Sequence, residues 1–114
     1  MGLAQRIGQR LSRLRALTGD SQESLAAQVG CTRSNIASIE TGRGTPSLDL
    51  AIEIAAYFRV PIQSLYSDDD EQFAAMLTEL AKARRFLETT TDLPEPVISA
   101  LLDLATEVQT TLRG

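Results

Sequence analysis

The chain contains no histidine and no tryptophan, has a single cysteine, and draws only 4% of its 114 residues from the aromatics. Each shortage closes a class of function. Without histidine there is no Ser-His-Asp triad, no Cys-His pair and no imidazole-ligated metal. Cys31 alone forms neither an internal disulfide nor a thiolate metal cluster. Carboxylates can hold a hard cation, but no loop is spaced for one. No cofactor, no metal and no enzyme activity are therefore expected. No apolar run is long enough to span a membrane. Arg6, Arg10, Arg13 and Arg15 interrupt the opening segment, which does not read as a signal peptide. The expectation is a cytoplasmic protein with no membrane partner. With aromatics scarce, aliphatic side chains must build the core, and a hydrophobic content of 43% is ordinary for a globular protein.

What is present is organised around Gln22 to Thr41, QESLAAQVGCTRSNIASIET. Leu25, Ala26 and Val29 recur at helical spacing, and Ile36 and Ile39 do so again after a break. Gly30 stands where the first helix must stop, and glycine takes the left-handed conformation that ends helices at little cost. Ser21 and Thr32 each stand one residue ahead of a helix, as N-caps do. Ala26 is small where two short helices must cross. These offsets define a helix-turn-helix, whose second helix enters the DNA major groove. The apolar positions alone would also suit an ordinary helical hairpin. The outward residues separate the two: Arg33, Ser34, Asn35 and Ser38 are hydrogen-bonding groups with no acid among them, whereas a solvated helix face mixes glutamate with lysine.

The stretches SQESLAAQVG, TRSNIASIETGRGTPSL and VPIQSLY resemble the Cro/repressor, or xenobiotic-response-element, family of lambda-repressor-like helix-turn-helix proteins. The resemblance covers a little over half the chain, out to about Tyr66. It implies a five-helix DNA-binding bundle; with the two-helix C-terminal extension that the residues after it predict, the expected fold is all-α. It also implies a sequence-specific transcriptional regulator acting on double-stranded DNA, a dimeric repressor that works by occupying an operator. Arg33 is then the expected base reader, since a guanidinium grips guanine at two atoms. Ser34 and Ser38 would touch neighbouring bases, and Gln22, Thr32, Asn35, Thr41 and Arg43 would position the DNA backbone. Asp20 departs from the family, which has an apolar residue there. Ser24 replaces the glutamate that would complete a capping box with Ser21. Both changes are expected to loosen the start of the first motif helix.

The flanks fit the same plan. Leu3, Ile7, Leu11, Leu14 and Leu17 predict an opening helix, with the arginines between them read as a solvated surface. Thr18-Gly19-Asp20 breaks it. The loop TGRGTPS suits a connector, and the resemblance makes Thr41 to Gly44 a phosphate contact. Ser47 caps a helix to about Phe58 with Leu48, Ala51, Ile54, Ala55 and Phe58 on its core stripe. Val60-Pro61 ends it. Ile62, Leu65 and Tyr66 close the bundle.

Ser67-Asp68-Asp69-Asp70 marks a boundary between residues 1–66 and a helical extension, residues 67–114. The first part holds seven arginines against five acids, a charge of +2. The second holds four basic residues against ten acids, −6, and together they give the net −4. Different charge implies different partners. Phe73, Met76, Leu77, Leu80, Ala83 and Leu87 predict one tail helix. Val97, Leu101, Leu104, Val108 and Leu112 predict a second, capped by Asp92 and opened by Pro94 and Pro96. Ile98, Leu102 and Ala105 widen the stripe of this second helix, a patch too apolar for a lone hairpin. The expected use is homodimerisation, which would match an inverted-repeat operator. The alternatives are an antitoxin whose tail binds a toxin, or a protein-interaction module that no longer binds DNA. Cys31, in the turn, occupies a position that takes apolar residues and reads as buried rather than redox-active.

Overall fold

Capping chemistry sets the helix limits in the computed structural model, which describes residues 2–89 together with 99, 100 and 103. Every element among the described residues is a helix. The order is α1 Leu3–Thr18, α2 Gln22–Val29, α3 Arg33–Glu40, α4 Leu48–Phe58, α5 Gln63–Tyr66 and α6 Asp70–Thr89. Three caps expected from the sequence are in place: the side chains of Ser21, Thr32 and Ser47 accept from the backbone N–H of Ser24, Asn35 and Leu50. Gly30 ends α2 at φ +78°. α4 ends at Phe58, as expected, where Arg59 turns left-handed at φ +56° just ahead of Val60-Pro61. The chain divides into two compact units, Met1–Asp68 and Asp69–Gly114.

The first unit is the five-helix bundle. α1 packs on α3 and α5, and α2 packs on α3 and α4. Its core is aliphatic, as the shortage of aromatics requires. Ile7, Leu11 and Leu14 of α1, Leu25 of α2, Ile36 and Ile39 of α3, Ile54 of α4 and Leu65 of α5 are all essentially inaccessible. Each such side chain contributes about 1.5–3 kcal/mol of burial. Gly8 brings α1 onto the end of α3: a Cβ there would collide with the Ile39 carbonyl oxygen and stand 2.8 Å from that of Glu40.

The arginines of α1 are not the solvated set their spacing suggested. Only Arg13 is exposed. Arg10 is 2% exposed and donates from Nη1 to the Ser64 carbonyl at 2.8 Å, joining α1 to α5. Arg6 donates to the Tyr66 carbonyl at 3.3 Å. The α1–α2 joint is likewise pinned rather than loosened. The Asp20 carboxylate accepts from Thr18 Oγ1 at 2.7 Å, from Ser24 Oγ at 3.0 Å and from the Tyr57 hydroxyl at 2.7 Å. The two departures from the family thus supply a donor and an acceptor to each other.

In the second unit, α6 starts where the acidic junction ends, with Asp69 Oδ1 accepting from the Gln72 N–H. Phe73, Met76 and Leu80 are buried, as their spacing implied. Residues 99, 100 and 103 are helical. The remainder of the second tail helix, with its apolar stripe and the expected cap at Asp92, lies outside the described residues, as does the side chain of Leu87.

Candidate nucleic-acid interface

The turn between α2 and α3 is closed from its own backbone. Gly30 and Cys31 both donate their N–H to the Ala26 carbonyl. The Cys31 Sγ donates to the Thr32 carbonyl at 3.6 Å, and burial pushes its thiol pKa up, which disfavours the reactive thiolate. α3 then presents two unlike faces. Ile36 and Ile39 are buried, while Thr32, Arg33, Ser34 and Asn35 are exposed together at its start. Ser38 is half-buried one turn further on. Its carbonyl accepts from the Thr41 hydroxyl at 3.1 Å and from the Arg43 N–H at 3.0 Å. The loop is thereby folded against the end of α3, with the Thr41 and Arg43 side chains outward. Two guanidiniums, hydroxyls and an amide are thus exposed along the start of α3 and the loop after it, groups of the kind that bond base edges and phosphates.

Gln22, half-buried at the start of α2, has an internal partner as well. Its amide donates to Glu40 Oε1 at 3.0 Å, inside a polar network that local spacing could not reveal. Arg15 Nε donates to Glu40 Oε2 at 2.8 Å and Arg15 Nη2 to Oε1 at 3.0 Å. Arg15 Nη1 reaches the Asp20 carbonyl at 3.0 Å. The Glu40 side chain is 6% exposed and that of Arg15 25%. Burial pushes the Glu40 carboxyl up. Hydrogen bonds from Arg15 and Gln22, the Arg15 charge and a Ser12 contact outweigh this and hold it below its ordinary value. Arg15 is raised, chiefly by its hydrogen bond to Glu40. The last residue of α3 is thus tied to α1 and to the first residue of α2, fixing the angle at which the exposed face is presented.

A family model described as "Helix-turn-helix" matches residues 11–65. A curated protein of Archaeoglobus fulgidus, named as an uncharacterized HTH-type transcriptional regulator, is 43% identical over 63 residues. The match covers 55% of this chain and 90% of that protein. The chain belongs to the helix-turn-helix transcriptional regulator family. Two more HTH-type regulators, likewise named as uncharacterized, are similar. One, of Methanocaldococcus jannaschii, is 40% identical over 63 residues, 55% of this chain and 96% of its own length. The other, YgzD of Bacillus subtilis, is 39% identical over 62 residues, 54% and 94%. No solved structure matches the chain. The helix-turn-helix regulators share with this chain a stretch about as long as its first unit. No helix among the described residues is long and apolar enough to cross a membrane.

Proposed function

We propose that this helix-turn-helix regulator is a cytoplasmic repressor that binds an inverted-repeat operator as a homodimer and blocks transcription by occupying it. α3 would lie in the major groove with Arg33 on a guanine and Ser34 and Ser38 on neighbouring bases. Thr32, Asn35, Thr41 and Arg43 would hold the DNA backbone. Gln22, with one amide N–H given to Glu40, would offer the second to a phosphate. The observation that carries the proposal is the exposed start of α3, where Arg33, Ser34 and Asn35 stand together without an acid. Residues 67–114 would join the two copies and set the spacing of the half-sites, about 10 base pairs or a multiple of that between centres. Selection of bound sequences from a random duplex pool tests it. Enrichment of two inverted half-sites is expected, and a pool that stays random after repeated selection defeats it.

A further inference from the structure

The first two turns of α4 carry a face that the bundle does not use. Leu48, which its spacing placed on the core stripe, is instead 68% exposed, since Leu50 takes the buried position in that first turn, and Ile52 is 48% exposed. Their i, i+4 spacing puts them in one stripe with the exposed Ala56. Asp49 and Glu53, both exposed, run alongside, one residue on. Between this edge of α4 and the α2–α3 turn lies a cleft of about 430 Å³, with Val29, Cys31 and Asn35 on one wall and Asp49, Ile52 and Glu53 on the other. No basic residue is among those lining it. A second copy is a poor occupant. Two-fold packing of α4 on α4 would gather the carboxylates of both copies into one desolvated seam, and no exposed residue of α4 is a cation.

We propose that this face docks an amphipathic helix of another protein, one with leucine-like residues along one stripe and lysine or arginine beside it. The Leu48–Ile52 stripe takes the apolar side chains, and the cleft takes a cationic one between Asp49 and Glu53. The location favours the same partner. Asn35 belongs both to the cleft wall and to the exposed start of α3, so the occupant would lie at the margin of bound DNA, where phosphates repel acidic helices and attract basic ones. Only this last point rests on the proposed DNA binding; the stripe and the carboxylates do not.

The probe is a synthetic helical peptide with leucines at alternating three- and four-residue spacing and lysines on their flank, titrated into the isotope-labelled full chain. Amide shifts are expected at Gly30, Cys31, Asp49, Ile52 and Glu53. Binding is expected to weaken about tenfold in Asp49→Asn/Glu53→Gln and in Ile52→Ser, with the helical circular dichroism signal retained because these side chains lie at the surface. Shifts confined to other residues, equal binding of a glutamate-for-lysine peptide, or undiminished binding by both variants would overturn the proposal. Sedimentation of Leu48→Ser is the further check. If the intact chain self-associates and this variant does not, the face belongs to a second copy and the proposal falls. A chain that takes the peptide but selects no DNA leaves the docking face standing and defeats the operator reading instead.

Discussion

Glu40→Ala removes an acceptor that takes two hydrogen bonds from Arg15 and one from Gln22, besides its contact with Ser12. Losing one member of a buried ion pair costs about 3–5 kcal/mol, because the other charge is left without compensation. Arg15 is a quarter exposed, so water recovers part of that, and a fully exposed pair would be worth about 1 kcal/mol at most. A loss of about 2–3 kcal/mol is therefore expected. Against a total of about 5–15 kcal/mol for a domain, that is a large fraction. Urea denaturation should show it as a lower midpoint at an unchanged slope. The pH dependence supplies a second reading. The Glu40 carboxyl is held below its ordinary value of 4.5. A depressed carboxyl contributes stability that is complete above its unfolded pKa and lost as pH falls through the folded one. Glu40→Gln should therefore flatten the decline of stability below about pH 4.5. A cost below about 0.5 kcal/mol for Glu40→Ala, with an unaltered acid limb for Glu40→Gln, would show that the network is solvated and does not hold α3.

Gly8→Ala would normally favour a helix, but here its Cβ meets two backbone oxygens that cannot give way; a net loss of about 1–3 kcal/mol is expected in thermal or urea melts. Arg33→Ala should relax base preference and cost about 1–3 kcal/mol at one position of each half-site, and equal weakening on specific and random duplexes would refute the base-reading role. Arg43→Ala should instead weaken binding to every sequence and flatten its salt dependence, and an unchanged salt slope would remove it from the phosphate contacts. A chain ending at Asp68 should keep its helical signal, since the first unit has its own core, yet sediment as a monomer and lose most operator affinity. A truncated chain that still dimerises would exclude the tail as the interface.

Local spacing made the helix-turn-helix legible. Ser21, Gly30, Thr32 and Ser47 act within three or four residues of themselves, and the stripe of Ile36 and Ile39 repeats at the helix period. Contacts between distant segments were not legible in that way. Arg15 meets Glu40 across 25 positions and Arg10 meets Ser64 across 54, so the arginines of α1 looked like surface. Asp20 looked disruptive because only the cap was in view. Its three donors include Tyr57, 37 residues on. Gly8 carried no mark, since nothing near it in sequence says that α3 passes within backbone contact. For the candidate interface, residue type and spacing made the exposure of Arg33, Ser34 and Asn35 legible, but the bond from the Gln22 amide to Glu40 depended on a residue 18 positions away.

α3 is eight residues long, about 12 Å, too short to persist by itself in water. Its shape is borrowed from the scaffold through Ile36, Ile39 and Glu40, while Arg33, Ser34 and Asn35 are exposed at its start. If α3 reads the operator as proposed, mutational drift can rewrite the address while the residues that shape the helix stay unchanged. Two descendants of one ancestor could come to govern unrelated genes with no intermediate that fails to fold.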